Sequence, residues 1–172
     1  ERVADERVGV LVGTLAATLE VNELYDRRRR EGRAVEPKRF PATSPNLPPG
    51  ECSIAFGLRG PAWSVGASLA APLEALLVAW DLLESGDADA LIVVSADHVE
   101  QLVRDTWRAA GWPVPRHGAS AVVLGRANSG ALLSRERLDA AHAEAVRGHG
   151  VFAGKAPGWP SFCAALDSAL LR

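Results

Sequence analysis

Apolar residues along the chain fall into short runs, and compact β-branched runs alternate with longer amphipathic ones. Residues 7–12 (RVGVLV) end at Gly13-Thr14 and predict a buried strand. Residues 15–30 space Leu15, Leu19 and Leu24 among charges and predict a helix, with Gly32 as its stop. Residues 36–50 hold Pro37, Pro41, Pro45, Pro48 and Pro49. Fixed φ and missing donors there predict an extended loop rather than strand or helix. A short helix over 51–58 ending near Gly57, and a short strand at Trp63-Ser64-Val65, follow. Residues 70–85 carry the strongest helical pattern: Pro72 sits in the first turn, Gly86 stops it, and Leu69, Leu73, Leu76, Leu77, Trp80 and Leu83 form a wide apolar stripe. A helix apolar on most sides belongs inside a fold. Strands are predicted over 90–95, 120–125 and 131–134, and helices over 99–110, 135–147 and 161–171.

Apolar strands alternating with helices give an α/β layered fold with a largely parallel central sheet and a buried helix. The 172 residues, 48% hydrophobic and 23% charged, suffice for one domain with a real core, taken as residues 1–172. A net charge of −2 makes no electrostatic case for nucleic acid or an anionic membrane as partner. The basic run Arg27-Arg28-Arg29-Arg30 lies among Glu23, Asp26 and Glu31 and reads as a solvated helix face, on which an acidic carrier protein could still dock. Two cysteines, Cys52 and Cys163, are too few for a disulfide framework and suit a reducing cytosol. The scattered His98, His117, His142 and His149 make neither a metal site nor, with the rest of the pattern, a cofactor site. No run of eighteen apolar residues predicts a membrane span, and the charged start (ERVADER) is not a signal peptide.

Four stretches, in order and at matching spacing over about residues 7–126, resemble the N-terminal half of the β-ketoacyl synthase family, which has the thiolase fold. They are the strand of residues 7–14 ending in Gly-Thr; Phe40-Pro41, Ser44-Pro45-Asn46 and residues 53–61 (SIAFGLRGP) before the nucleophile strand; residues 85–94 (SGDADALIVV); and residues 117–124 (HGASAVVL). Counting from Gly60-Pro61, the family's nucleophilic Cys falls on Leu69. The resemblance implies half of a synthase frame without its reactive atom. An alkyl side chain has no lone pair with which to attack a thioester, and the family's two His residues and oxyanion segment come from a second half. The tail of residues 148–154 is only loosely similar to the second His loop. Chain-length factors of type II polyketide synthases resemble this case: they keep the fold, lack the Cys (usually Gln stands there), pair with an active ketosynthase and shape the acyl cavity.

The resemblance therefore implies a non-catalytic subunit that forms a homo- or hetero-oligomer with a ketosynthase-like partner, with an acyl carrier protein as a further partner. It also implies that the strand near residues 85–95 runs beside its two-fold mate. Acyl-cavity or interface candidates are Trp63, Leu69, Asp97, His98, Trp107 and Trp112. Asp97-His98 follows a strand at the sheet edge where α/β folds place ligands, although a hydrogen-bonded structural His also explains His98. The Trp rings suit an interface or cavity wall. Ser68 is the rival nucleophile: Gly66-Ala67-Ser68-Leu69-Ala70 approximates Gly-x-Ser-x-Gly at a strand-to-helix turn, as in acyl hydrolases and acyltransferases. Against it, the last Gly is Ala70, and a small residue before position 69 is ordinary packing. A plain module binding an acyl chain or carrier protein is the third reading. Cys52 and Cys163 read as small buried hydrophobes.

Overall fold

The computed structural model describes residues 7–34, 36–66, 68, 70–114, 116–126 and 134–147. Residues 131–133 of the strand predicted over 131–134, the helix over 161–171, the tail of residues 148–154, Cys163 and Leu69 lie outside the described residues.

Four strands form one sheet in the order β2-β1-β3-β4. Strand β1 (Val8–Gly13) pairs in parallel with β2 (Ala62–Val65) on one side and β3 (Ala90–Asp97) on the other. Strand β4 (Gly118–Gly125) closes the far side antiparallel to β3, with Val93 opposite Val122 and Asp97 opposite Gly118. The continuous apolar run of β1 is explained by its place: it is central, and five of its six residues are buried. Strand β3 alternates, turning Leu91, Val93, Ser95 and Asp97 inward. Hydrogen-bonded on both sides, β3 has no free edge to offer a two-fold mate, so the expected seam along residues 85–95 is corrected: among the described residues the open edges are those of β2 and β4.

Helix α3 (Ala71–Ser85) lies on the face of the sheet that carries Leu11, Leu91 and Val93. Its buried side is Ala71, Leu73, Ala75, Leu76, Ala79 and Leu82, with Leu77, Trp80 and Leu83 packed at the margin. Small Ala residues at every fourth position let the helix sit close to the strands, and the large side chains fill the flanks. Gly86, at φ +83°, ends α3 in the left-handed conformation that glycine takes without a Cβ penalty. Helix α5 (Arg135–Arg147) packs on α3 and contributes the fully buried Leu138; Arg135 pairs with Asp81 across the two helices.

Helix α1 (Leu19–Arg30) and helix α4 (Gln101–Ala109) pack together beyond the end of the sheet, where Ala16, Val99, Val103 and Trp107 form a second core. The Pro-rich stretch is not the extended loop its prolines predict. It folds as a 3-10 helix (Pro37–Thr43) followed by helix α2 (Leu47–Phe56). Pro48 and Pro49 fall in the first turn of α2, where the absent N–H has no partner to lose, and Pro37 likewise opens the 3-10 helix. Among the described residues no helix is long and apolar enough to cross a membrane.

Candidate functional site

Two turns meet at the C-terminal end of the parallel strands. The first follows β2 and leads through Gly66 and Ser68 to Ala70, which caps α3. It is docked on β1: the Thr14 N–H donates to the Val65 carbonyl over 3.1 Å, and a Cβ on Gly13 would lie 2.6 Å from Pro72 Cα. Only a glycine at position 13 allows the start of α3 to approach the strand so closely.

The Ser68 hydroxyl donates to Glu74 Oε1 over 2.6 Å and accepts from the Ala70 N–H at 3.1 Å. The Ala71 N–H is taken by the Ser68 carbonyl at 3.1 Å. His142, one helix away on α5, brings Nε2 to 3.5 Å from the same Glu74 oxygen. That nitrogen is buried without a hydrogen-bond partner among the described residues. Glu74 is thus shared between a serine hydroxyl and an imidazole, each of the two ionisable side chains being 29% exposed.

The second turn follows β1 and is organised by Asp97. Its Oδ1 accepts from the Thr14 hydroxyl at 2.9 Å, the Leu15 N–H at 2.8 Å and the Ala16 N–H at 3.0 Å. Thr14 Oγ1 in turn accepts from the Ala17 N–H, and Ala17 takes the rare positive φ of 44°. Asp97 is only 5% exposed, and burial pushes its carboxyl above the ordinary carboxylate range despite the bonds from Ala16, Thr14 and Leu15 that favour the charged form. Its Oδ2 and the hydroxyl of the fully buried Ser95, two residues back on the same face, have no hydrogen-bond partner among the described residues. Gly13-Thr14 joins the two turns, Gly13 against Pro72 and Thr14 on Asp97.

The remaining candidates disperse. His98 points away from Asp97 into solvent, 63% exposed, with Nε2 2.6 Å from Glu100, and meets the ring of His117 edge-on at 4.9 Å. Trp107 is buried in the second core and stacks edge-to-face on the exposed Trp112 at 5.8 Å; it is therefore a core residue with an exposed neighbour. Trp63 stands apart on β2, 46% exposed. Cys52 is half-buried in α2, less enclosed than a core hydrophobe. The arginine run is ion-paired: Arg28 with Glu36, Arg29 with Asp26, and Arg30 with Glu23 and Asp26. No cluster of three or more His, Cys, Asp or Glu suited to a metal occurs among the described residues.

Sequence reasoning missed Glu74, His142, Thr14 and Ser95. Glu74 left one signal, a lone carboxylate in the apolar stretch that opens α3. His142 and Thr14 left none that connects them to the site, because their roles depend on contacts with residues far along the chain, His142 with Glu74 and Thr14 with Asp97 83 positions away.

No protein of curated function matches the chain in sequence. The solved structures that share its fold include the following three. An ishigamide ketosynthase/chain length factor superposes with a TM-score of 0.66 at 26% identity, over 75% of this chain and 38% of that one. A ketosynthase in complex with its chain length factor from Xenorhabdus doucetiae gives 0.62 at 19%, over 78% and 52%. A type II polyketide acyl-carrier protein in complex with its hexaketide-bound ketosynthase gives 0.53 at 18%, over 64% and 29%. The chain thus spans between 29% and 52% of the length of these relatives. The family of the β-ketoacyl synthase N-terminal domain matches residues 1–134 of the 172, and the chain belongs to that family.

Proposed function

We propose that residues 1–172 form one ketosynthase-like domain of a subunit that does not catalyse condensation. It pairs with an active ketosynthase, or with itself, and helps wall an acyl-chain cavity in polyketide or fatty-acid-type biosynthesis in the cytosol. The observation that carries this reading is Leu69, an alkyl group where the family places its nucleophile. A condensing enzyme needs a thiolate at that point. The frame around it is kept, because β1, β2 and α3 meet there through Gly13, Pro72 and the Thr14–Val65 hydrogen bond.

Two surfaces support association. Helix α2 exposes Ile54 and Phe56, at 79% and 72%, and packs against β2, whose Trp63 is exposed and whose outer edge has no strand beside it among the described residues. Apolar surface beside an open strand edge favours a protein partner. Similar structures in which a ketosynthase sits with its chain length factor, and another with its carrier protein, fit the same reading. For a carrier protein, the last turn of α1 offers Arg27 to Arg30 beside the exposed Phe40.

Sedimentation velocity tests it, on the chain alone and mixed with an active type II ketosynthase at micromolar concentration. A faster-sedimenting species in either experiment is expected. A monodisperse monomer in both overturns the pairing.

A further inference from the structure

We propose that Ser68, Glu74 and His142 form an acyl-acceptor site, in which the Ser68 hydroxyl takes an acyl group from a thioester. The inference goes beyond the pairing reading and stands without it, since condensation needs position 69 and this step does not.

The geometry singles out these three groups. Ser68 is half-buried, and its hydroxyl proton already points at a carboxylate 2.6 Å away, the distance of a strong charge-assisted hydrogen bond. The contact is not a helix cap. A capping box joins positions three apart and returns to backbone N–H groups, whereas Ser68 and Glu74 are six apart and bond side chain to side chain. A separate bond, from the Ala70 N–H to Ser68 Oγ, fixes the hydroxyl oxygen in place. The same oxygen faces His142, whose Nε2 lies 3.5 Å from Oε1 and has no hydrogen-bond partner among the described residues. A half-buried carboxylate whose Oε1 accepts from a serine hydroxyl and also faces an imidazole can receive the serine proton. His142 lies beyond residue 134, where the match to the family domain ends.

The step balances without an outside reagent. Ser68 Oγ attacks the thioester carbonyl carbon. The Oγ–C bond forms and the C–S bond breaks. The hydroxyl proton passes to Glu74 and from it to the departing sulfur, which leaves as a free thiol. The product is a Ser68 oxygen ester. Helical N–H groups that would stabilise an oxyanion are already spent within the turn, those of Ala71, Leu73 and Glu74 on the carbonyls of Ser68 and Ala70. The site is therefore suited to slow, stoichiometric acyl capture rather than rapid turnover.

Intact mass of the chain after incubation with acetyl- and octanoyl-coenzyme A tests it. The expected result is one acyl increment, mapped to the Ser68 peptide and resistant to neutral hydroxylamine. Ser68→Ala removes it. Should that variant fail to fold, Ser68→Cys keeps the argument testable, because its adduct at position 68 becomes a hydroxylamine-labile thioester. Glu74→Gln lowers the acylation rate by about 100-fold, the usual scale for loss of a general base. His142 acts through Glu74 as a positioning residue: His142→Gln, which keeps an N–H near the ε position, restores a rate that His142→Leu loses. No adduct on the wild-type chain, a hydroxylamine-labile adduct on Cys52 or Cys163, or a rate indifferent to Glu74→Gln overturns the proposal.

Discussion

The two turns at the end of the sheet are built on opposite principles. In the turn after β1 a single buried carboxylate collects three donors, two from the backbone and one from Thr14, and fixes five residues as a unit. In the turn after β2 the backbone docks through close packing, Gly13 against Pro72, and its polar groups face one another across α3 and α5 rather than the sheet. One turn is held by hydrogen bonds that a substitution would orphan, the other by shape.

Asp97→Ala should be the most damaging change. It leaves the buried Ala16 N–H, the partly buried Leu15 N–H and the Thr14 hydroxyl without their acceptor, at a cost of roughly 3–5 kcal/mol for several orphaned donors together. Urea unfolding would show it as a large fall in midpoint with little change in slope. A midpoint near that of the wild type would mean that the turn after β1 is held by packing like its neighbour. Gly13→Ala tests the second turn. The added methyl meets backbone at 2.6 Å and 2.9 Å, from Pro72 Cα and the Ala71 carbonyl, with no flexible side chain to yield. Overpacking of this kind costs about 1–3 kcal/mol. It should also shift the start of α3, so the hydrogen-exchange protection of the Leu73 and Glu74 amides should fall more than that of β3. Equal loss across both elements would contradict a local, shape-held turn.

The sequence is legible where structure follows from local pattern. The runs of β1, β3 and β4 and the long apolar helix α3 were all readable, because strand burial and helical stripe are written in nearest neighbours. The Pro-rich stretch misled for a physical reason: proline forbids a helix interior but favours a first turn, and Pro48-Pro49 open α2 rather than prevent it. The site was only half legible. Ser68 and Asp97 stood out as chemistry-bearing residues at strand ends. What each of them does depends on Glu74 and His142 in one case and Thr14 in the other, residues that no spacing rule connects to them. Trp107 shows the same limit in reverse, since an aromatic ring suited to an interface proved to be the filling of a second core.

The smallest effect separates charge from hydrogen bonding within the Asp97 turn. Burial raises the Asp97 carboxyl above its ordinary range, with the bonds from Ala16, Thr14 and Leu15 working against that rise. A raised folded-state value means that the folded form binds the proton more tightly than the unfolded one. The carboxyl therefore favours folding when protonated, below the ordinary carboxylate range, and that contribution is lost as pH climbs through the raised value. Asp97→Asn keeps an Oδ1 that can accept from Thr14, Leu15 and Ala16 but never ionises. Relative to the wild type, its unfolding free energy should improve as pH rises from about 4 toward neutrality, and then level off. If the raised value comes from burial, the improvement is monotonic and persists in high salt, because a group this enclosed is poorly screened. A difference that stays flat with pH would place the ionised carboxylate at no disadvantage in the fold. The three donors on Oδ1 would then have fully offset its desolvation, and the turn after β1 would be a charge-stabilised anion nest rather than a buried acid.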